Sequence, residues 1–330
     1  MEILNDSRES LEKAAALLKR GGLAAFPTET VYGLGADAFN PLALARVFEV
    51  KNRPRFDPLI IHIAHLDALP RVADLKLLEG AAAERLAILS QALWPGPLTL
   101  ILPKHRDLPD LATAGLPHAA VRFPSHPSAQ ALIRLSTGAL AAPSANPFGF
   151  LSPTRAEHVA AQLGDRVDLI IDGGRCPVGL ESTVLDISGT IPRILRPGGI
   201  SAETLGALIG KVELSLGSDG LPQSPGQEKG HYSPRTPLEF CEGDLSLLPP
   251  EKQEGRLYFK KPREGDQPPH RILSARGDLG EAAANLFDML HELDGMGLDL
   301  IRAEAAPNQG LGLAINDRLR RAAFRGEERS

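Results

Sequence analysis

The 330-residue sequence is poor in the side chains that carry several common chemistries. It has two cysteines, Cys176 and Cys241, far apart and outside any Cys-x-x-Cys pair. That pattern suggests neither a disulfide framework nor a zinc site. Aromatic residues make up 5% of the chain, too few for a platform that stacks the bases of single-stranded nucleic acid. Charge of either sign is not in large excess: 36 Lys and Arg against 41 Asp and Glu give a net charge of -5. Such a surface does not wrap a long nucleic acid, although a local basic pocket is compatible with it. No apolar run approaches the roughly 20 residues that span a bilayer. The polar N-terminus MEILNDSRESLEK does not read as a signal peptide, so a reducing cytoplasm is the expected compartment. The chain also lacks a G-x-x-x-x-G-K-[ST] loop, a G-x-S-x-G elbow and the kinase motifs.

What is present is an alternation of strand-like and helix-like segments. Ser7 or Ser10 can cap a helix running to about Arg20, with Leu11, Ala14, Ala15, Leu17 and Leu18 as its apolar stripe and Gly21-Gly22 as its stop. Asn40-Pro41 opens a second helix that ends near Lys51. Further helices are expected at 79–93, 126–136, from Thr154 to about 163, and at 201–210. Strands are expected at 23–26, 59–64, 98–102, 119–123, 139–143, 168–172, 182–187 and 193–198. The pattern is α/β, and the closely spaced last strands predict a mixed sheet. Residues 213–237, rich in Gly, Pro and Ser, read as a linker. Strand-like segments at 256–259, 271–273 and 298–304, with helices at 278–293 and 312–324, then predict a small second α/β unit. The expected division is a first domain at 1–212, a linker at 213–237 and a C-terminal domain at 238–330.

Polar groups collect at the ends of apolar runs, where ligands of α/β sheets bind. PTETVYGLGAD (27–37) sets Thr28, Thr30 and Tyr32 around an expected glycine turn. KNRPRFDPL (51–59) places Lys51, Arg53 and Arg55 on a loop braced by Pro54 and Pro58. Such bracing lowers the entropy cost of gripping phosphates, although a solvated basic loop has the same composition. PSANPFGFLSPT (143–154) offers Ser144, Asn146 and Ser152 before a helix start at Thr154. Arg122, on the apolar strand AAVRF, needs an anion, supplied either by a protein carboxylate or by a ligand. His62 inside LIIHIA can be a core residue or a ligand contact. Arg196 adds a cation at another strand end. GLGLAINDRLRRA (310–322) lacks the third glycine of a dinucleotide turn and reads as a tight helix entry.

Together, FPTETVYGLGADA (26–38), KNRPRFDPLIIHI (51–63), WPGPLTLIL (94–102), VRFP (121–124), APSANPFGFLSPT (142–154), GLESTVLD (179–186) and LRPGG (195–199) resemble the YrdC-like family of threonylcarbamoyl-AMP synthases. HYSP (231–234) and GLGLAINDRLRRAA (310–323) resemble the longer, two-domain form. The resemblance implies an open twisted mixed sheet with flanking helices, plus a small Rossmann-like C-terminal domain. It implies an enzyme that joins L-threonine, bicarbonate and ATP into threonylcarbamoyl-adenylate with release of pyrophosphate. The product would pass to a tRNA threonylcarbamoyl-transferase complex that modifies an adenosine beside the anticodon, with at most weak direct contact with tRNA. By family pattern, Thr30, His62, Arg122, the backbone of Ala142 and Ser182 surround threonine, with Thr183 an alternative to Ser182. Lys51, Arg53, Asp57, His118, Ser144, Asn146, Ser152, Arg196 and Tyr232 surround ATP; Lys51, Arg53, Ser144 and Asn146 are the catalytic set. Mg²⁺ is expected to bind through the phosphates, since no carboxylate cage is visible.

The implied chemistry suits these residues. A carbamate anion must attack the α-phosphorus of a polyanion, and fixed cations offset the repulsion. Arg122 suits a carboxylate in bidentate geometry. Asp57 departs from the family's usual Asn, and a carboxylate cannot donate to a phosphate oxygen. Pairing with Arg53 or Arg55, or help in holding Mg²⁺, are the alternatives for it. The HYSP segment is expected to fold over the pocket as a lid that excludes water. Two other functions compete: an RNA-binding module using the Lys51/Arg53 loop, and a related enzyme acting on carbamoyl phosphate.

Overall fold

The computed structural model describes residues 1–215, 230–249, 251, 253–262 and 268–324. Residues 216–229 of the expected linker therefore lie outside the described residues. Eleven strands form the main sheet: β1 (Glu2–Asn5), β2 (Ala24–Phe26), β3 (Gly33–Asp37), β4 (Ile60–Ile63), β5 (Leu98–Pro103), β6 (His118–Arg122), β7 (Ala139–Ala141), β8 (Leu169–Asp172), β9 (Thr183–Asp186), β10 (Arg193–Arg196) and β11 (Glu213–Leu214). Their spatial order is β1-β8-β2-β3-β7-β4-β6-β5-β9-β10-β11. Parallel pairs such as β4 with β6 alternate with antiparallel ones such as β4 with β7, so the sheet is mixed as expected.

Local chemistry explains the helices beside the sheet. Helix Arg8–Lys19 starts where Ser7 accepts a hydrogen bond from the Ser10 amide, and it buries Leu11, Ala14, Ala15 and Leu18. Helix Pro41–Lys51 has Asn40 as its cap and Pro41 in its first turn, and it ends at Asn52 in the left-handed region (φ 55). That reversal sends Lys51 and Arg53 into the protein from the two sides of one turn.

Two local expectations are corrected and one strand is added. The glycine turn proposed after β2 is strand β3, which pairs antiparallel with β2. Gly35 is required there by packing, because a Cβ at that position would lie 2.7 Å from the Phe26 ring. Thr154 is not a helix cap: the helix runs Ala156–Leu163 and its preceding residue, Arg155, makes no side-chain cap. The N-terminal residues form β1, a parallel edge strand on β8, where exposed polar side chains mask the strand pattern.

A second, four-stranded sheet is built from β12 (Leu238–Cys241), β13 (Glu254–Tyr258), β14 (His270–Ile272) and β15 (Leu300–Glu304) in the order β12-β15-β13-β14, all parallel. Helices Leu279–Asp294 and Gly312–Ala323 belong to this unit. Its apolar core does not stop at the seam. Val31, Leu151 and Leu180 of the first unit share one buried cluster with Tyr232, Leu286, Phe287 and Leu319. Arg155 pairs with Asp288 at 2.6 Å across the same seam, and the rings of His158 and His291 stack at 3.9 Å. Among the described residues no helix is long and apolar enough to cross a membrane.

Candidate active site

One cavity sits at the carboxyl ends of β2, β4, β6, β7 and β10, and its lining includes Thr30, Arg53, His62, Arg122, Ala142, Ser144, Ser182, Arg196 and Tyr232. Strand register assembles much of it. His62 on β4 pairs with Arg122 on β6, which pairs with Thr99 on β5. The hydroxyls of Thr99 and Ser182 lie 2.7 Å apart, and Arg196 donates to the Ser182 hydroxyl at 3.1 Å and to its carbonyl at 2.9 Å. Thr183 is excluded from this group, since its hydroxyl donates to the Ile200 carbonyl at 2.6 Å and accepts from the Ile200 amide. Gly198 makes this corner possible: a Cβ there would stand 2.3 Å from the Glu181 carbonyl.

Arg122 has found a protein partner. Its guanidinium lies 2.7 Å from a Glu29 carboxylate oxygen, with both side chains 5% exposed. The other Glu29 carboxylate oxygen is buried without a hydrogen-bond partner. His62 is neutral: burial and then the charge of Arg122 push its pKa down to about 3. Its Nδ1 faces the Ile60 carbonyl at 3.1 Å. A carbonyl only accepts, so Nδ1 carries the proton and Nε2 keeps a lone pair.

The two polar loops are tied to each other. Lys51 Nζ donates to the Ser144 carbonyl at 2.6 Å and the Asn146 carbonyl at 2.5 Å. Lys51 is 1% exposed and does not line the cavity. Burial, followed by the charge of Arg53, pushes its pKa well below the usual lysine range, while Asp57 opposes the shift. Asn146 is also turned inward, donating to the carbonyls of Pro147 and Phe150 at 2.9 Å each. Arg53 reaches the cavity, braced by the Pro58 carbonyl at 2.7 Å and by Asp57 at 2.8 Å. Asp57 thus takes the ion-pair alternative.

The remaining expected residues divide in two. Ser152 donates to Glu181 at 2.5 Å rather than facing the cavity. His118 lies four residues before Arg122 on β6, about 13 Å away at strand rise, and does not line the cavity. Between them the sheet carries a small buried cluster of Ile60, Ile101, Ala120, Val184 and Leu195. The described end of the linker also lines the cavity, through His231 and Tyr232. The Ser233 amide donates to the Gly149 carbonyl at 2.8 Å, His231 packs edge-on against Phe148, and Tyr232 adopts φ 65. His231 Nδ1 and the Tyr232 hydroxyl are buried in this lining without hydrogen-bond partners.

Sequence reasoning missed Glu29, Glu181, Thr99 and Arg318 as site components. Each lies in or beside a motif singled out there, but the motifs carry no signal of which buried charge meets which. Glu181 accepts from Ser152 and from Arg318 Nε at 2.9 Å, and Arg318 comes from the C-terminal unit. Burial alone would raise the Glu181 carboxyl; Arg318 and Arg196 outweigh it and hold the group below its ordinary range.

Fold and site define an α/β protein with a buried, cation-lined cavity at its strand ends. Comparison with known proteins supplies the family. The Sua5/YciO/YrdC family model, described as "Telomere recombination", matches residues 16–198, and the model "Threonylcarbamoyl-AMP synthase, C-terminal domain" matches residues 200–324. The threonylcarbamoyl-AMP synthase of Bacillus subtilis is 43% identical over 97% of this chain and 94% of its own length. That of Pyrococcus abyssi is 39% identical over 98% of each chain. The crystal structure of P. abyssi Sua5 complexed with L-threonine superimposes with a TM-score of 0.88 at 37% identity, covering 98% of both chains. Escherichia coli YciO shares the fold alone, at a TM-score of 0.52 and 23% identity over 60% of this chain. The chain belongs to the threonylcarbamoyl-AMP synthase family, in its two-domain form.

Proposed function

We propose that this chain condenses L-threonine, bicarbonate and ATP into threonylcarbamoyl-adenylate with release of pyrophosphate, for the threonylcarbamoylation of tRNA. The observation that carries the reading is the convergence, in one cavity, of an amino-acid-sized polar group with two buried guanidinium groups. Thr30, His62, Arg122, the Ala142 backbone and Ser182 form the threonine half. Arg122 takes the carboxylate, and the lone pair of His62 accepts from the amine or hydroxyl. Arg53, Ser144, Arg196 and Tyr232 form the ATP half, with the apolar strip toward His118 as a bed for the adenosine. Bicarbonate takes up a proton and loses water to give carbon dioxide, with which threonine's free amine combines to give a carbamate, returning the proton. A carbamate oxygen then bonds to the α-phosphorus, the bond to the β-phosphate bridging oxygen breaks, and its electron pair leaves with pyrophosphate. Arg53 and Arg196 stabilise charge on the phosphates as it shifts.

Lys51 and Asn146 act one layer back in this scheme. Lys51 holds the Ser144 and Asn146 carbonyls, so it sets the loop that presents Ser144. Mg²⁺ would be held through the phosphates, where it would offset their charge, since Glu181 is engaged by Ser152 and Arg318, and Asp57 by Arg53. His231 and Tyr232 shield the mixed anhydride from water. Deleting 222–236 should then leave threonine binding measurable and abolish synthesis; unchanged synthesis refutes the lid. The domain division at 1–212 and 238–330 belongs to the same proposal, and the product is handed to a tRNA threonylcarbamoyl-transferase complex in the cytoplasm.

Mass spectrometry of reactions containing ATP, threonine and bicarbonate tests the function. Threonylcarbamoyl-adenylate and pyrophosphate should appear together and vanish when one substrate is omitted. Pyrophosphate release independent of threonine would refute the reading.

A further inference from the structure

Arg318 lies on helix Gly312–Ala323 of the C-terminal unit, yet its side chain is fully buried against the first unit. Each nitrogen of the guanidinium is engaged. Nε donates to Glu181 at 2.9 Å, one terminal nitrogen donates to the Pro197 carbonyl at 2.9 Å, and the other donates to Asp317 at 2.6 Å. The flat face lies 4.8 Å from the centroid of the Tyr232 ring. Asp317 is held in turn by Arg321 at 2.9 Å.

Three of these contacts, to Glu181, Pro197 and Tyr232, lead to the ATP half of the cavity. Glu181 and Tyr232 line it, and Pro197 follows Arg196, which lines it. Glu181 also carries Ser152. A carboxylate beside a polyanion site repels the ligand unless a cation neutralises it. A tyrosine in the left-handed region stays there only if its surroundings over-determine it. Arg318 supplies both conditions, and a fork of fixed N–H directions is what a guanidinium has and an ammonium lacks.

We propose that Arg318 is a positioning residue for ATP: from the C-terminal unit it neutralises Glu181, seats Tyr232 and fixes the turn that carries Arg196. The inference rests on the synthase reading, in that it takes ATP as the ligand of this half. It gives the C-terminal unit a part in the nucleotide site beyond covering the first unit.

A docking residue that merely joins the units would show the same burial, so the test separates the two roles. Arg155 supplies the comparison: its ion pair with Asp288 crosses the same seam, and Arg155 does not line the cavity. Full-length wild type, R318K, R155A and the double variant R318M/E181Q are titrated calorimetrically with α,β-methylene-ATP and, separately, with L-threonine. Melting curves are recorded alongside. R318K should bind the ATP analogue about tenfold or more weakly, with threonine affinity within about twofold of wild type. R155A should lose melting temperature but keep both affinities. R318M/E181Q removes Arg318 and Glu181 together while Arg321 keeps Asp317 paired, and so should fold, because replacing both members of a buried pair is tolerated far better than breaking one. It should still bind the analogue weakly, because Tyr232 and the Pro197 carbonyl have lost their partner. Wild-type affinity for the analogue in R318K or in the double variant overturns the proposal, as does equal weakening by R155A. The readout is ATP binding, so a wild-type chain that binds the analogue but makes no adenylate refutes the synthase reading while the Arg318 comparison still stands.

Discussion

Replacing Arg122 by alanine perturbs two things at once, and the structure shows how to separate them. Arg122 and Glu29 form a buried pair at 2.7 Å, each side chain 5% exposed. Deleting the guanidinium leaves the Glu29 charge buried and alone, which costs about 3–5 kcal/mol of stability. At about 2–4 °C per kcal/mol for a folding unit of this size, the melting temperature should fall by roughly 10 °C. The same change removes the groove's means of holding threonine's carboxylate. Charge-assisted hydrogen bonds contribute about 1.5–3 kcal/mol each, so threonine affinity should drop by about tenfold to a hundredfold or more. ATP affinity should change little, because Arg53 and Arg196 hold that half. The double variant R122A/E29Q distinguishes stability from binding. With the orphaned charge removed it should regain most of the melting temperature but none of the threonine affinity. Calorimetric titration with each ligand and a melting curve measure all three quantities. Threonine affinity that returns together with stability in the double variant would show that Arg122 serves the fold alone.

Lys51→Met should lower stability by about 2–4 kcal/mol, because two buried carbonyls lose their donor; melting curves read this. Synthesis should fall mainly in kcat as the Ser144 loop loosens, and a selective rise in the KM for ATP would instead make Lys51 a direct phosphate ligand. Asp57→Asn should leave the KM for ATP within about twofold, since Asp57 serves Arg53, whereas a tenfold rise would mean that the carboxylate itself handles ATP or its metal. Acid should destabilise the seam. His158 is neutral when folded, its pKa pushed down to about 3 by burial and then by His291, against 6.5 unfolded. The unfolded chain therefore binds the extra proton first, and stability falls as pH drops from about 6.5 toward 3. His158→Gln should flatten melting temperature against pH over that window, and an unaltered slope would assign the acid sensitivity elsewhere.

Local sequence chemistry accounts for much of the molecule. The caps at Ser7 and Asn40, the apolar runs that become β4, β5 and β6, and the α/β alternation are short-range signals, and each appears where expected. β1 was not legible, because an exposed edge strand has no apolar face to declare it. β3 was misread because its glycines serve the packing of Phe26 rather than a turn.

For the site, the sequence by itself determined which segments come together: the motifs around Thr30, Arg53, His62, Arg122, Ser144, Ser182 and Arg196 all supply residues to one cavity. Tertiary structure decided which of those groups face the cavity and which hold the ones that do. Lys51 and Asn146 look like ligands in the sequence but turn inward to tie loops, while Glu29, Glu181 and Arg318 emerge as the partners of the charges in the lining. The physical reason is that a buried charge is stable only beside its partner, and the partners here lie 93 residues apart for Arg122 and Glu29 and 137 for Arg318 and Glu181. No local pattern encodes a pairing at that separation; only the folded chain brings the two together.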